Sequence, residues 1–207
     1  MSTKPCGRKL LLHEKKLSKF GYKLIAGVDE AGRGPLAGPV VAGAVILKEL
    51  RFREEINDSK KLSPKKREKA YKEIIVKAVV GIGIVDEKVI DRINIYQATK
   101  RAMEIAVSNL NIPPDIVIVD GTIKLKTACP SRCIIRGDAK SLSIAAASII
   151  AKVTRDSIMR KYDLEYPHYG FARHKGYPTK AHKAALKCHG PSPIHRFSFR
   201  PVAAAVA

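Results

Sequence analysis

The chain has 207 residues, and with 45% hydrophobic and 28% charged residues its composition is typical of a globular protein and excludes a disordered one. Lysine and arginine number 39 against 19 aspartate and glutamate residues, so the net charge of +20 at pH 7 favours a polyanionic partner, nucleic acid before an anionic membrane. The longest apolar stretch, residues 35–47, is broken by glycine and proline and is too short for a transmembrane helix, so we predict no membrane insertion.

The N-terminal residues and the cysteines both favour a cytoplasmic location. The apolar run at residues 10–12 is too short for the core of a secretion signal. No CxxC pair is present among the four cysteines, which are Cys6, Cys129, Cys133 and Cys188. We therefore predict reduced thiols that are structural or incidental, in preference to a zinc site formed by the last three cysteines with His189.

The first half of the chain predicts a short helix followed by strands. Residues 10–20 are basic and have the pattern of a short amphipathic helix. Compact apolar runs predict strands at residues 24–29, 38–47 and 79–85. The short link between the first two strands indicates a hairpin, although periodicity does not decide between parallel and antiparallel pairing. A helix begins at Ser63, the expected N-cap, with Pro64 at its first position.

The second half alternates helices with strands. Helical periodicity extends over residues 91–110, and two prolines at 113 and 114 prevent its continuation. A β-branched run at 115–120 predicts a strand buried on both faces, and residues 133–136 predict a short last strand. An alanine-rich core helix begins near Ser141, and a shorter helix spans 178–187. This alternation predicts an α/β fold with a central mixed sheet flanked by helices.

Four acidic residues lie outside the charged, solvated segments. Asp29 and Glu30 end one predicted buried strand, Asp120 ends another, and Asp138 lies between a glycine and the core helix. Each one alone is more simply a turn or a helix-start residue. Together, in a chain of +20 charge, they indicate a carboxylate cluster whose charge is offset by hard cations. Two divalent ions held by several carboxylates are a standard device for phosphodiester hydrolysis.

Several long motifs, in the same order along the chain, resemble the ribonuclease HII family. They are AGVDEAGRGPLAGPVVA from residue 26, NDSKKLS from 57, VDG from 119, GDAKS from 137, IAAASIIAKVTRD from 144, YGFARHKGYPTKAH from 169 and GPSPIHRFSF from 190. The resemblance covers about residues 22–202. A lone DE or DG pair carries no such weight.

The resemblance implies a ribonuclease H-like fold and cleavage of RNA within RNA–DNA hybrids, including single ribonucleotides embedded in duplex DNA. It implies cleavage on the 5′ side of the ribonucleotide, leaving 5′-phosphate and 3′-hydroxyl ends, with Mg²⁺ or Mn²⁺, two ions in the active complex. The family's four catalytic, metal-binding carboxylates match Asp29, Glu30, Asp120 and Asp138. A fifth acid, Asp156, is better explained by a structural ion pair with Arg155 or another neighbouring base.

The resemblance also implies substrate-binding residues. Backbone groups of Gly32, Arg33 and Gly34 match the segment that contacts the ribonucleotide 2′-hydroxyl, and Tyr177 matches a tyrosine that stacks on the following deoxyribose. Phosphate contacts are expected from Ser59 and Lys60, and on weaker grounds from Lys140, Ser141, Arg173, His174, Lys175, His182 and Arg196.

On this interpretation the chain comprises a basic N-terminal extension (1–20), a ribonuclease H-like catalytic core (21–165) and a C-terminal substrate-contacting helical segment (166–207). The related ribonuclease HIII has a separate N-terminal domain and usually lysine in place of Arg33, so the short segment before the first strand favours ribonuclease HII. We expect a monomer.

Two alternatives use part of the same features. A nuclease or strand-transfer enzyme of the same superfamily needs the acids but not the Gly32–Gly34 segment. A non-catalytic nucleic-acid-binding protein needs only the basic charge.

Overall fold

A computed structural model describes residues 10–205 of the chain, so residues 1–9 of the predicted N-terminal extension, with Cys6, lie outside the described part. Five strands form one sheet in the order β3-β2-β1-β4-β5. The strands are β1 (Ile25–Ala31), β2 (Val40–Leu47), β3 (Ala78–Val85), β4 (Ile116–Asp120) and β5 (Ser131–Ile134).

The pairing makes the sheet mixed, as predicted. β1 and β2 form the expected hairpin and pair antiparallel, as do β2 and β3. β4 pairs parallel with β1 on its other side, and β5 parallel with β4. The carboxyl ends of β1, β4 and β5 therefore meet at one edge of the sheet. β1 continues past its predicted end at Asp29 to Ala31, because Glu30 and Ala31 still pair with β2.

Helices cover both faces of the sheet. They are α1 (Leu12–Lys19), α2 (Pro64–Lys77), α3 (Glu87–Ser108), α4 (Leu142–Glu165), α5 (Phe171–His174), α6 (Lys180–His189) and α7 (Arg200–Ala203). α3 contributes to the core on one face, whereas α2 and α4 contribute to the core on the other. Within residues 10–205, no helix is long and apolar enough to span a membrane.

The core helix α4 lies directly against the sheet. Its first half, Leu142 to Ala151, is buried, as its alanine-rich sequence predicts. A Cβ on Gly27 of β1 would lie 2.2 Å from the backbone carbon of Ser143, so only glycine permits this approach. The helix begins where expected, with the Ser141 hydroxyl accepting from the N–H of Ile144 at 3.2 Å.

Several element boundaries differ from the prediction. α3 begins at Glu87, four residues before the predicted start, because the carboxylate of Asp86 caps the N–H of Val89 at 2.8 Å. α3 is also kinked at Asn94, which has a φ of 66°. β5 lies two residues earlier than predicted, and pairs with β4 through Ser131–Ile134.

The short elements α5 and α7 and the 3₁₀ turns Gly137–Ala139 and Pro167–Tyr169 have no counterpart in the sequence prediction. Each is too short to show periodicity. α5 is delimited instead by two residues in the left-handed region, Gly170 and Lys175. They place the C-terminal segment against α4 and the β1–β2 connection, where it completes the cleft described next.

Candidate active site

Two of the four acids lie on neighbouring parallel strands. Val28 of β1 pairs with Val119 of β4, so Asp29 and Asp120, the next residue in each strand, lie side by side at the carboxyl edge of the sheet. The alternation of a strand turns both toward α4, with Asp29 buried and Asp120 half-buried. Glu30 follows on β1 with a side chain that is 15% exposed.

The third segment, residues 137–139, brings Asp138 to the same edge. The N–H of Gly137 donates to Asp120 Oδ1 at 2.6 Å, which ties this 3₁₀ turn to the end of β4. Asp138 is half-buried in the turn, just before the N-terminus of α4. The structure therefore brings together all four acids that the sequence selects, from three separate segments.

Electrostatics show how closely the acids interact. Burial raises the pKa of Asp29 well above its usual value, and the charges of Glu30 and Asp120 raise it further. Burial also raises the pKa of Glu30, partly opposed by Arg33, whose Nη1 lies 3.4 Å from Glu30 Oε1. The pKa of Asp138 is raised by burial and by Asp120. This set of carboxylates is under mutual repulsion, which a bound cation would relieve.

Of the four acids, Glu30 lines a cleft of about 520 Å³. Six of the residues predicted to bind substrate also line it, namely Gly32, Arg33, Gly34, Ser59, Lys60 and Tyr177. Arg33 and Tyr177 are exposed, with 47% of the Arg33 side chain and 42% of Tyr177 accessible. A Cβ on Gly34 would lie 3.7 Å from Cε1 of Tyr177, so the glycine-rich loop and the tyrosine ring are direct neighbours.

Ser59 and Lys60 differ in accessibility. Lys60 is exposed, and its charge lowers the pKa of Asp138, opposing the effect of burial. Ser59 is 3% exposed, and its hydroxyl accepts from the Ser148 hydroxyl at 2.9 Å. Ser148 also lies beside Asp29 and lowers the pKa of that carboxyl, opposing the effect of burial. The immediate contact of Ser59 is therefore the residue that supports the buried acid.

The glycine-rich loop is held by a buried arginine that the sequence assigned to phosphate binding. Arg196 is fully buried, and its guanidinium donates five hydrogen bonds of 2.7–3.1 Å to carbonyls of the loop. The acceptors are Gly32, Arg33, Pro35 and Gly38. Burial, and then the nearby Arg155, lower the pKa of Arg196 to about 9, so it stays charged at pH 7. The predicted phosphate contact of Arg196 is wrong, because its donors are already used.

Arg155 supports the same loop from α4. It is fully buried and donates to the carbonyls of Ala37, Pro39 and Lys175 at 2.9–3.1 Å. Gly32 has a φ of +102°, and a Cβ there would lie 2.2 Å from Arg155 Nε. The glycine is therefore required both by its backbone conformation and by the arginine packed behind it.

Three other predicted phosphate contacts are also wrong. His174, His182 and Ser141 are buried, and each forms hydrogen bonds within the protein. Their partners include, in the same order, the carbonyls of Tyr169 and Tyr177 and the carboxylate of Glu14. Their polar atoms therefore cannot reach a duplex on the surface. Lys140 and Arg173 are exposed, and Lys175 is half-buried.

Sequence reasoning missed four residues of the cleft, namely Ala31, Ile95, Ser148 and Lys152. Ser148 and Lys152 are four residues apart on α4, so a helical projection through the core motif identifies them as neighbours on one face. Lys152 Nζ lies 2.6 Å from Asp156 Oδ1 and 6.0 Å from the centre of the Tyr177 ring. Asp156 also pairs with Arg67 at 3.6 Å, so its ion-pair role is confirmed, with bases other than Arg155.

The donor set suits a hard divalent cation. It consists of carboxylate oxygens alone, which Mg²⁺ and Mn²⁺ prefer over sulfur ligands. Among residues 10–205, no three His, Cys, Asp or Glu side chains converge as a ready-made cage, either here or around the cysteines. Cys133 and Cys188 are exposed free thiols, and Cys129 is a half-buried free thiol.

Comparisons with known proteins agree on one family. The profile of the family described as Ribonuclease HII matches residues 26–202. Ribonuclease HII of Acetivibrio thermocellus is 59% identical over 191 residues, which are 92% of this chain and 75% of that protein. The structure of ribonuclease H2 from Pyrococcus horikoshii OT3 is 29% identical with a TM-score of 0.75, covering 88% of this chain and 97% of that one. Ribonuclease HII from Archaeoglobus fulgidus, solved with PCNA, is 26% identical with a TM-score of 0.72, covering 86% and 96% of the two chains.

The family profile spans the strands that carry Asp29 and Asp120, the turn with Asp138 and the C-terminal segment with Tyr177. The match sets aside both alternatives, a different superfamily nuclease and a non-catalytic binding protein. The chain belongs to the ribonuclease HII family, and it is a nuclease of the ribonuclease H class that acts on RNA–DNA hybrids.

Proposed function

We propose that the protein cleaves duplex DNA on the 5′ side of a single embedded ribonucleotide, in addition to cutting the RNA strand of hybrids. The products would carry 5′-phosphate and 3′-hydroxyl ends. The observation that carries the proposal is one cleft lined by Glu30, the Gly32–Gly34 loop and Tyr177, at the edge of the sheet where Asp29, Asp120 and Asp138 also lie.

We assign the metal-binding role to Asp29, Glu30, Asp120 and Asp138, holding two Mg²⁺ or Mn²⁺ ions. When bound, two such ions supply an activated water and stabilisation of the leaving 3′-oxygen. The protein's part is to hold its carboxylates in a fixed orientation, while the charge of the ions would favour their ionised form. The N–H of Gly137 fixes Asp120 at 2.6 Å, and the N–H of Glu30 fixes Asp29 at 2.7 Å.

Recognition of the ribonucleotide is assigned to the backbone of Gly32, Arg33 and Gly34. The buried guanidinium of Arg196 donates hydrogen bonds to several carbonyls of this loop, and these bonds fix the conformation of the loop before substrate binds. A preformed loop lowers the entropic cost of binding the 2′-hydroxyl of a single ribonucleotide. The 2′-hydroxyl is the group that distinguishes RNA from DNA at one position.

Tyr177 is proposed to test the sugar that follows. Its ring is 42% exposed beside Gly34, so one face is available for stacking on a deoxyribose. Lys60 and Arg33, both exposed at the cleft, would neutralise neighbouring phosphates. We propose that a single cytoplasmic chain, with residues 21–165 as catalytic core and 166–207 as substrate-contacting segment, suffices for this reaction.

The test is a duplex with one ribonucleotide, compared with the same duplex made entirely of DNA. With Mg²⁺ we expect one cut 5′ of the ribonucleotide and none in the DNA control, and an upstream product that a polymerase can extend from its 3′-hydroxyl. Asp120→Asn serves as the inactive control. Cleavage of continuous hybrids with no cut at an isolated ribonucleotide would contradict the proposal.

A further inference from the structure

The C-terminal segment contains buried histidines that the reaction described above does not use. His182 on α6 and His195 in the loop before α7 are both fully buried. Their Nε2 atoms lie 3.0 Å apart, which is hydrogen-bond distance and requires that one ring donates and the other accepts. The direction of this bond follows from the other nitrogen of each ring.

His195 must be the donor of the pair. The backbone N–H of Ser192 points to His195 Nδ1 at 2.9 Å, and a backbone N–H can only donate. Nδ1 of His195 is therefore unprotonated, and the neutral ring carries its proton on Nε2. The Ser192 hydroxyl, 2.8 Å from the same nitrogen, is compatible with this assignment.

His182 must then have the opposite tautomer. Its Nδ1 lies 2.9 Å from the carbonyl oxygen of Tyr177, which can only accept, so Nδ1 carries the proton and Nε2 accepts from His195. Each bond of the chain from Ser192 through both rings to Tyr177 thus has one possible direction. A second proton on either ring would point one donor at another. Separately, burial and then the charge of His182 lower the pKa of His195 to about 4.

The chain of bonds connects the two proposed recognition elements. Residues next to His195 are paired with the connection that follows Gly34, since the N–H of Arg196 donates to Leu36 O and that of Gly38 donates to Ile194 O, both at 2.8 Å. At the other end the chain terminates on Tyr177 itself. The N–H of Leu36 also donates to Gly176 O at 2.8 Å, beside the same tyrosine.

We propose that His182 and His195 are positioning residues for substrate selectivity, whose neutral rings fix the spacing between the loop that reads the 2′-hydroxyl and the Tyr177 ring that reads the next sugar. This inference rests on the proposed role of Tyr177. Neither histidine touches substrate, because both are buried beneath the cleft. We expect them to affect the preference of the enzyme for an RNA-to-DNA junction over continuous RNA. The sugar that follows the ribonucleotide is a deoxyribose at the junction and a ribose in continuous RNA.

The tautomers are tested without activity. In ¹⁵N-labelled protein at pH 7.5, imidazole nitrogen shifts should identify His182 as the Nδ1–H form and His195 as the Nε2–H form, with assignments from single variants. An Nε2–H form of His182, or a charged ring on either residue, would overturn the proposal.

The functional test is the ratio of single-turnover rates on a duplex with one ribonucleotide and on a continuous hybrid. Both substrates use the same carboxylates, so a change in the ratio reports recognition. We expect His182→Leu to lower the ratio about tenfold. His182→Asn retains an amide N–H near the Nδ1 position and should stay within about threefold of wild type, and it also serves if the leucine variant does not fold. Equal losses in both variants would refute the hydrogen bond as the cause.

A double variant shows whether the histidines act through Tyr177. In the Tyr177→Ala background, His182→Leu should lower the ratio no further, whereas additive losses would overturn the proposal. If Tyr177→Ala alone leaves the ratio unchanged, the proposed role of the tyrosine is wrong, and so is the positioning role of the two histidines that depends on it. If Tyr177→Ala lowers the ratio and His182→Leu does not, only the positioning role of the histidines is wrong. His189→Leu, an exposed histidine on the same helix, is the matched control and should match wild type.

Discussion

The guanidinium of Arg196 donates a hydrogen bond of 2.7 Å to the carbonyl oxygen of Gly32, across 164 positions of sequence. This bond joins the C-terminal segment to the loop that directly follows the acidic pair on β1. A buried cation is costly unless its donors are satisfied, and here the carbonyls of one loop satisfy them. The shape of that loop therefore depends on a residue far from it in sequence.

Replacing Arg196 should damage both stability and recognition. In Arg196→Lys a single ammonium cannot replace the planar fork of donors, so several buried carbonyls lose partners. We expect a loss of about 2–4 kcal/mol in the free energy of unfolding. Denaturant unfolding measures it, with the exposed Arg200→Lys as control. Unchanged stability would show that the loop does not need this fork.

Asp29→Asn should abolish cleavage while stabilising the metal-free fold. Burial, Glu30 and Asp120 raise the pKa of Asp29, so its ionised form is destabilised relative to an exposed carboxylate, and an amide carries no such penalty. We expect turnover to fall by at least about 10³-fold. Melting temperatures with and without Mg²⁺ provide the second readout, since a bound ion stabilises the wild type more than the variant. A wild-type rate for the variant would remove Asp29 from the metal site.

Acid should destabilise the fold through His195. Its pKa is about 4 in the folded protein against about 6.5 in an unfolded chain, so the unfolded state binds more protons between those values. Stability contributed by the neutral ring is complete above pH 6.5 and is lost as pH falls toward 4, by about 2–4 kcal/mol. Denaturant unfolding from pH 4 to 7.5 should show a shallower decline for His195→Asn than for wild type. If the free energy of unfolding falls equally with pH in both proteins, the acid sensitivity does not arise from His195.

Binding should weaken steeply with salt. For a B-form duplex the log–log slope is about −0.9 for each phosphate neutralised. Lys60→Gln, at the cleft, should reduce the slope by about one contact. Lys72→Gln is the control, because Lys72 is exposed and lines a separate groove between α2 and α4. Equal slopes for the wild type, Lys60→Gln and Lys72→Gln would show that the duplex does not bind at the cleft.

The acids were the part of the site most accessible to sequence reasoning. Asp29 and Asp120 follow apolar runs that can only be buried strands, and a carboxylate at such a position needs a partner or a cation. The parallel pairing of β1 with β4, which brings the two acids together, was not evident from periodicity. It depends on a crossover through α3, whose start and kink at Asn94 were also not predicted.

What the sequence determined by itself is the local chemistry: the α/β alternation, the cap at Ser63, the ordered motifs and the identity of the four acids. What only the tertiary structure decided is which polar side chains face solvent. Arg196, His174 and His182 are basic residues in a basic tail, and their composition predicts phosphate contacts, yet all three are buried. The physical reason is that burial of a polar group depends on whether distant backbone groups are positioned to pair with it, and that pairing exists only once the loop after β1 and the C-terminal segment have come together.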